Sequence, residues 1–218
     1  MISVIIPTLN ERAHMGRTLQ LLAQNSTPHE TIVSDGGSED GTPQIAAEYG
    51  ASVLSISIAS RAAQMNRAAE KARGSILLFL HADTCVSDVS LGQIERALET
   101  PQVVGGGFSR RFDTKSRFLA FTCWLATLRC RTTGLFLGDQ AMFIRRVAFE
   151  RLNGFKNMTV FEDLDLSRRM RRAGKVVTLF PGVCSSARRF ERKGPLRTTC
   201  SDLWLTCCYF ARTARDEK

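Results

Sequence analysis

Apolar runs and amphipathic segments alternate along the first half of the chain. Short apolar runs of strand length occupy residues 2–8, 30–35, 51–56 and 75–80. Segments with apolar residues at helical spacing occupy residues 11–24, 43–49, 61–72 and 88–98. Continuous Ile, Val, Leu and Phe runs are typical of strands buried on both faces, and Ser60 can cap the third helix. The alternation predicts right-handed βαβ crossovers and a mostly parallel sheet in an α/β fold.

The pattern changes after Pro101. The remaining predicted elements are a glycine-rich strand or bulge at 103–108, an apolar helix at 118–128, a short strand at 140–145 and a helix from Glu162 that Gly174 ends. The chain contains no linker, internal repeat or low-complexity segment. We therefore predict a single domain over residues 1–218, with two functional halves at 1–104 and 105–218.

Polar clusters follow three of the predicted strands. They are Thr8-Leu9-Asn10-Glu11, Asp35-Gly36-Gly37 and His81-Ala82-Asp83. In open α/β sheets, ligands bind just beyond the carboxyl ends of the strands. Asp83 is therefore expected where a bound phosphate and its metal would lie. The three clusters together predict one rim of an active site.

Each polar residue also has an ordinary structural interpretation. Residues 35–42 combine glycines that admit a ligand with a carboxylate suited to a base or ribose, but the segment lacks the GK[ST] of a P-loop and could be a βα turn. Arg61 and Asn66 lie on a small-residue helix that could approach a ligand, or face solvent. His81 alone suits a core histidine. No His or Cys at metal spacing accompanies it, which disfavours zinc.

The helix that begins at Glu162 carries several acids with different expected roles. Asp163, Leu166 and Met170 fall at positions i, i+3 and i+7, which predicts one inward stripe. The opposite face is predicted to be polar and solvent-exposed, with Asp165, Arg168, Arg169 and Arg172. First-turn acids also suit the helix dipole, so Glu162 fits capping as well as function. An inward acid without a local basic partner, Asp163, is the better candidate general base.

The composition of the chain limits the expected cellular location and the classes of ligand that it could bind. The 218 residues carry a net charge of +9, and paired basic residues concentrate in the second half. Such a surface suits nucleic acid, anionic lipid or a phosphorylated substrate. Seven cysteines form no CxxC, and Cys123 and Cys130 read as buried thiols of a reducing compartment. Without a leader-like segment or an apolar run of ~18 residues, we expect a cytoplasmic protein, with the inner face of the membrane as the second location.

Five motifs in order resemble the family 2 glycosyltransferases with the GT-A fold. They lie at residues 4–11, 35–42, 80–83, 138–140 and 162–163. The resemblance runs from Ile2 to about Arg192. It is similar in detail to the short, stand-alone bacterial subgroup like the radical-SAM/selenodomain- or arsenosugar-associated glycosyltransferases, which carries LHADT, EDxDLSRR and SARR segments.

The resemblance implies a three-layer α/β/α architecture and a set of roles. Residues 1–104 would bind the nucleotide-sugar donor, through Pro7, Thr8, Asn10, Glu11, Asp35, Gly36, Arg61, Asn66, His81, Ala82 and Asp83. Residues 105–218 would hold the acceptor against Gly138, Asp139 and Gln140 and supply Asp163 as general base, with Glu162 beside it and a C-terminal helix beyond. The implied reaction is inverting transfer to an acceptor hydroxyl.

One departure from the family motif concerns the metal. His81-Ala82-Asp83 stands where the family has DxD, so the first acid is missing. The resemblance implies that Asp83 alone can hold Mn²⁺ or Mg²⁺ against the diphosphate. Arg188 and Arg189 are the alternative, because their charges could neutralise part of the phosphate.

Three other functions stay open. A nucleotidyltransferase also needs a carboxylate-held metal, although its basic glycine-rich signature is missing. A non-catalytic RNA- or membrane-binding protein would explain the charge, although no nucleic-acid recognition motif is present. A catalytically inactive nucleotide-binding protein is favoured by the altered DxD.

The acceptor and the protein's partners are less defined by the sequence. We expect a small-molecule or lipid-linked acceptor and no nucleic acid, and a homodimer stays open. At the C-terminus, Leu196, Leu203, Cys207 and Phe210 recur at helical spacing beside Trp204. This helix would pack on the domain's own core or form a basic, amphipathic membrane contact.

Overall fold

One mixed sheet organises the computed structural model, which describes residues 1–56 and 60–216. Its strands are β1 (Ile2–Thr8), β2 (His29–Asp35), β3 (Ser52–Ser55), β4 (Ile76–Phe79), β5 (Thr84–Cys85), β6 (Val103–Phe112), β7 (Met142–Arg145) and β8 (Lys175–Ser185). The helices are α1 (Arg12–Ala23), α2 (Thr42–Glu48), α3 (Arg61–Lys71), α4 (Ser90–Leu98), α5 (Arg117–Thr133), α6 (Arg146–Arg151), α7 (Glu162–Ala173), α8 (Arg188–Lys193) and α9 (Pro195–Asp216). A single 3₁₀ turn spans Gly138–Gln140.

The strand order is β3-β2-β1-β4-β7-β6-β8-β5. Pairing is parallel for β3/β2, β2/β1, β1/β4 and β6/β8, and antiparallel for β4/β7, β7/β6 and β8/β5. The predicted α/β fold with a mostly parallel sheet is confirmed. Thr8 pairs with Asp35 at the ends of β1 and β2, so the polar segments after these strands leave the sheet at one edge.

Hydrophobic side chains fill both faces of the sheet. Val4 and Ile6 of β1 join α1 and α4 in one core cluster, whereas Ile5 joins α3 and α7 in another. All seven residues of β1 are buried, as its continuous apolar run indicates. The sheet therefore lies between two layers of helices, which is the predicted three-layer arrangement.

The elements predicted in the first half are confirmed, with ends that differ by at most two residues. Ser60 caps α3, because its side chain accepts a hydrogen bond from the Ala63 amide. In the second half, the apolar helix and the glycine-rich strand are longer than predicted. The strand predicted at 140–145 begins at Met142, after the 3₁₀ turn. Sequence analysis assigned no strand to β8, whose burial pattern shows no clear alternation.

The glycines of β6 allow three elements to meet at close range. A Cβ on Gly105 would collide with the Phe143 carbonyl oxygen of β7, and one on Gly106 with the Val177 carbonyl oxygen of β8. A Cβ on Gly107 would lie 2.6 Å from the Phe136 ring. Side chains at these positions would push the neighbouring strands away.

None of the described helices is long and apolar enough to cross a bilayer.

We expect Gly106→Ala to lower the free energy of unfolding by about 1–3 kcal/mol, since the added methyl group meets backbone rather than a movable side chain. Gly92→Ala is the matched control, because its Cβ would lie in ordinary contact, 3.4 Å from Thr27 Oγ1, inside α4. There the change should raise helix propensity and stabilise by up to about 1 kcal/mol. Urea unfolding of both variants measures the difference, and equal midpoints would contradict the packing argument.

Candidate active site

Two adjoining clefts open where β1 and β4 end. The first cleft, of about 320 Å³, is lined by Pro7, Thr8, Leu9, Glu11, Arg61, Gln64, His81, Ala82, Asp83 and Arg188. The second cleft, of about 480 Å³, shares Arg61, His81, Asp83 and Arg188 with the first. Its other walls include Gly138, Asp139 and Asp163. Thus seven of the eleven residues predicted for the donor side come together in the first cleft.

Arg188 links the two carboxylates at the strand ends. Its guanidinium lies 2.5 Å from Glu11 Oε1 and 3.2 Å from Asp83 Oδ2. Burial raises the pKa of Asp83 above its ordinary value, although Arg188 opposes this shift. Glu11 Oε2 is buried without a hydrogen-bond partner among the described residues. The arrangement concentrates two acids at one point, held by one cation.

His81 is held neutral beside Arg61. Arg61 Nη1 donates to His81 Nε2 across 3.3 Å. Burial and then the charge of Arg61 lower the pKa of His81 to about 4. At pH 7 the imidazole therefore adds no positive charge to the clefts. It also adds no negative charge where the family motif has a carboxylate.

The first turn of α7 delivers two acids to this region. Phe161 precedes the helix in a left-handed conformation with φ of 68°. Glu162 is buried and lies 2.5 Å from Arg61 Nε. Asp163 is buried and accepts hydrogen bonds from the amides of Gly138 and Leu164, the latter at 2.7 Å.

Burial, and then the neighbouring charge of Glu162, raise the pKa of Asp163 from 3.8 to about 6. Arg61 and the amides of Gly138 and Leu164 act in the opposite direction and stabilise the ionised form. The balance leaves a carboxylate that is ionised at neutral pH and more basic than an ordinary aspartate. A group with a pKa close to the working pH suits general base catalysis.

Gly138 is the point where the His81 and Asp163 side chains converge. A Cβ at this position would lie 2.6 Å from His81 Nε2 and 3.0 Å from Asp163 Oδ2. The missing side chain therefore allows its backbone amide to reach the carboxylate. This close approach gives a physical reason for glycine in the Gly138-Asp139-Gln140 motif.

The other two residues of that motif have different surroundings. Asp139 lines the second cleft and forms an ion pair with Arg110. Burial alone would raise the pKa of Asp139, but the charge of Arg110 lowers it below its ordinary value. Gln140 is fully buried and uses its amide as a structural bridge, accepting from Arg129 and donating to the Phe108 carbonyl. Gln140 therefore supports the turn from behind.

Four of the predicted donor residues line neither of these two clefts in the described part of the chain. They are Asn10, Asp35, Gly36 and Asn66. Asp35 is buried, and its carboxylate accepts hydrogen bonds from Thr8, Gly37 and Ser38. The side chain of Asn10 accepts from the Glu39 amide. The third, Gly36, donates its amide proton to the Thr8 carbonyl. These three residues build the turn after β2.

Asn66 is the fourth, and it anchors the segment that precedes α7. Its side-chain amide donates to the Phe155 carbonyl and accepts from the Phe155 amide, both at 2.8 Å. A Cβ on Gly154 would lie 2.6 Å from Asn66 Oδ1. Asn66 thus ties α3 to the chain that leads into the acids of α7.

The prediction that Asp165 lies in an exposed ion pair was wrong. Asp165 is 8% exposed and contacts Arg169 at 2.7 Å and Lys156 at 3.1 Å. Arg169 also donates to the carbonyl oxygens of Leu152 and Gly154. The segment before α7 therefore covers a face of α7 that was predicted to be solvent-exposed because it carries charged residues.

Sequence analysis missed several residues that shape the clefts. Gln64 donates to the Thr8 carbonyl across 2.9 Å and lines the first cleft. Arg110 lines the second cleft. Helix α9 adds Asp202, Leu205 and Thr206 to that cleft, and Asp202 pairs with Arg189. Asp202, Leu205 and Thr206 are at positions i, i+3 and i+4, and this helical spacing was the sequence signal for this wall of the cleft.

The residues around Asp83 fit a divalent metal ion that is held by one or two carboxylates and completes its coordination with water and phosphate oxygens. Among the described residues, no cluster of three or more His, Cys, Asp or Glu side chains could enclose an ion. However, Mg²⁺ is commonly held by one or two carboxylates together with water and substrate phosphates. Asp83 and the unpartnered Oε2 of Glu11 supply donors of this type.

Comparison with known proteins identifies the family. The model of glycosyl transferase family 2 matches residues 3–153, more than half of the chain. The chain therefore belongs to glycosyl transferase family 2. The nucleotidyltransferase and non-enzymatic interpretations are not favoured, and the bacterial subgroup stays a prediction.

Two curated relatives illustrate the range of the family. The beta-monoglucosyldiacylglycerol synthase of Trichormus variabilis is 25% identical over 191 residues, which cover 78% of this chain and 41% of that protein. Glycosyltransferase AglE of Haloferax volcanii is 32% identical over 91 residues, or 38% of this chain and 30% of its own length. The chain thus spans about two fifths or less of these relatives.

Solved structures confirm the GT-A fold. The mannosyltransferase PcManGT of Pyrobaculum calidifontis, in complex with GDP-Man and Mn²⁺, aligns with a TM-score of 0.68 at 21% identity, covering 85% of this chain and 56% of that one. Residues 1–349 of S. aureus TarS in complex with UDP-GlcNAc align with a TM-score of 0.69 at 18% identity, covering 85% and 58%.

Proposed function

We propose that the protein transfers a sugar from a nucleotide-sugar donor to an acceptor hydroxyl, with inversion at the anomeric carbon and with Asp163 as the general base. The observation that carries this proposal is the buried Asp163 carboxylate, whose pKa is raised to about 6 beside the shared wall of the two clefts. Residues 1–104 would form the donor half, and residues 105–218 the acceptor and base half.

The first cleft is the proposed donor site. Its Asp83, Glu11 and Arg188 offer opposite charges to a metal-bound diphosphate. Two structural neighbours were solved with GDP-Man and Mn²⁺ or with UDP-GlcNAc, which supports a nucleotide-sugar donor. Asp83, assisted by Glu11, would hold Mn²⁺ or Mg²⁺, and the ion would neutralise diphosphate charge. Arg188 would leave the carboxylates and pair with phosphate oxygens.

The second cleft is the proposed acceptor site. An acceptor hydroxyl beside Asp163 would transfer its proton to the carboxylate while its oxygen attacks the anomeric carbon. The bond from that carbon to the diphosphate oxygen would break on the opposite side, and the nucleoside diphosphate would leave with the bonding electrons. The amides of Gly138 and Leu164 orient the carboxylate, and a fixed base lowers the cost of reaching the reactive geometry. Phe161 and Leu205 line the same cleft and would limit access of water.

Glu162 is the weaker candidate for the base. Its carboxylate forms an ion pair with Arg61 at 2.5 Å, and Glu162 is only 2% exposed. Proton uptake would break this pair and leave Arg61 without its main partner. We therefore assign Glu162 a positioning role, in which it fixes the start of α7.

The acceptor class and the assembly are proposed at a coarser level. One relative is named as a synthase of a glucosyldiacylglycerol, which supports a lipid-linked acceptor, with a small molecule as the alternative. Packing of α9 on the domain's own core does not account for Leu196, Leu203 and Trp204, which are 61–65% exposed. We propose that α9 forms a peripheral membrane contact. The alternative is that a second copy of the chain covers these exposed side chains in a homodimer.

Donor binding is tested by thermal unfolding with UDP or GDP, with and without Mn²⁺. A ligand at 100 times its dissociation constant should stabilise the protein by about 2.7 kcal/mol. Asp83→Ala should remove most of the metal-dependent part, because Asp83 is the carboxylate that faces both clefts. Asp88→Ala, at an exposed carboxylate, is the matched control. Equal stabilisation of wild type and Asp83→Ala would remove Asp83 from the site.

The base is tested with Asp163→Asn, which keeps the shape and removes the proton acceptor. Turnover should fall by ~10²–10⁴ while donor affinity changes little. In wild type, activity should rise with pH through about 6, as Asp163 loses its proton. The raised pKa also means that ionisation of Asp163 lowers the stability of the fold as pH rises from about 3.8 to about 6.

Glu162→Gln is the control for a misassigned base. Its activity should still rise with pH, but the rise should lie at lower pH than in the wild type, because the charge of Glu162 raises the pKa of Asp163. Turnover should also be lower, because the Arg61 contact is weakened. Near wild-type turnover in Asp163→Asn would contradict the assignment. A Glu162→Gln protein without residual activity, beside an active Asp163→Asn, would reassign the base.

The α9 contact is tested by co-sedimentation with vesicles of phosphatidylcholine, alone or mixed with phosphatidylglycerol. We expect binding to the anionic vesicles, and Leu203→Ser/Trp204→Ser should weaken it because both side chains are exposed on α9. Unchanged binding of this variant would exclude α9 as the contact.

A further inference from the structure

Helix α5 exposes an apolar face to solvent. Phe121, Trp124, Leu125 and Leu128 follow the i, i+3, i+4 and i+7 pattern and are 44–58% exposed. The rings of Phe121 and Trp124 stack with centroids 5.8 Å apart. We name these four residues the α5 outer face. Sequence analysis predicted an apolar helix here, but it gave no reason for apolar residues on a second side.

The inner side of the same helix already supplies its packing. Leu119, Cys123, Ala126 and Cys130 are buried, which confirms the two buried thiols predicted from the sequence. A helix that is apolar on both sides normally has both sides covered. The domain covers one side of α5, so the outer face requires a different partner.

The charged residues of α5 and its immediate flanks are basic. From residue 114 to residue 138 the chain has four basic residues, Lys115, Arg117, Arg129 and Arg131, and no Asp or Glu. The acids on either side, Asp113 and Asp139, accept a hydrogen bond from the Ala187 amide and pair with Arg110, respectively. Arg117 and Arg131 are exposed at the two ends of the helix. Aromatic and Leu side chains bordered by arginines are typical of helices that lie in the interface of an anionic membrane.

The α5 outer face also adjoins the acceptor side of the candidate site. A third cleft, of about 550 Å³, lies between Trp124 of α5 and the half-exposed Phe180 of β8. Arg110 and Phe112 line both this cleft and the second cleft. A surface that holds the α5 outer face would therefore lie one layer of side chains from the proposed acceptor site.

We propose that the α5 outer face is a membrane-docking surface that inserts Phe121, Trp124, Leu125 and Leu128 into the interface of a bilayer containing anionic lipid. The proposal does not depend on catalysis or on the α9 contact. A second copy of this chain fits less well. A symmetric contact between two α5 outer faces would bring basic residues of both copies together, without an acid from residues 114–138 to pair with them.

The two tryptophans of the chain make a direct test. Trp124 lies on α5 and Trp204 on α9, with 58% and 65% exposure. Trp204→Phe leaves Trp124 as the only indole, and Trp124→Phe leaves Trp204. In the Trp204→Phe protein, anionic vesicles should shift the emission to shorter wavelength, and brominated lipid should quench it. Unchanged Trp124 emission would overturn the proposal, whatever Trp204 reports.

Charge variants test the anionic component. Arg117→Gln/Arg131→Gln should weaken binding to anionic vesicles by about five- to thirtyfold, the effect of one or two basic contacts at such a surface. Arg67→Gln/Arg96→Gln removes the same charge from exposed positions on α3 and α4 and is the matched control. Equal losses of vesicle binding in both variants would mean that net charge alone explains the effect, and this result would contradict docking through α5.

Two further results would replace the membrane with another partner. A shift of Trp124 emission that rises with protein concentration without vesicles, together with a dimer in analytical ultracentrifugation, would assign the face to a second copy. Equal binding to neutral and anionic vesicles would contradict the electrostatic part. Circular dichroism melting should give wild-type midpoints for all variants, since every changed side chain is exposed.

Discussion

The ion pair between Arg61 and Glu162 is the contact on which the site depends. It joins residues 101 positions apart, the first residue of α3 and the first residue of α7. The same guanidinium donates to His81, so one side chain fixes the ends of three elements. The Asp163 carboxylate stands next in the chain to Glu162, and its position follows from this contact. Only the Glu162 side of the pair is buried, and the Arg61 side chain is half-exposed. Removing Arg61 would leave the buried Glu162 carboxylate without its cation, which is more costly than losing a fully exposed salt bridge.

The cleft arginines are matched to acids, although the chain as a whole is strongly basic. Arg61 pairs with Glu162, Arg110 with Asp139, and Arg188 with Glu11 and Asp83. Because these three arginines face four acids, a bound diphosphate would gain little from electrostatic attraction alone. It would gain from exchanging partners, which favours ligands that carry both a metal and phosphate oxygens. The excess positive charge lies on other surfaces, among them the ends of α5.

The local features of the fold were predictable because each depends on neighbouring residues. Continuous apolar runs identified β1 and β4, Ser60 identified the start of α3, and the strand ends identified Glu11 and Asp83. Roles set by distant contacts were not predictable. Spacing alone placed Asp165 toward solvent, yet Lys156 and Arg169 bury it. Likewise, nothing near Asn66 in the sequence indicates Phe155 as its partner. The wall from α9 depends on contacts with α8 and the segment before α7, beyond the reach of any local pattern.

The contact between Glu11 and Arg188 spans 177 positions of the chain. During synthesis, the first four strands can pair long before this arginine exists. A nascent chain can therefore build the sheet edge while its two acids still lack their cation. We expect the repulsion between these acids to be relieved only when residue 188 is available, so the clefts would form after the sheet edge. The part of the chain that matches the family model, residues 3–153, thus contains seven of the eight described strands, while the cation of the site comes from a later segment.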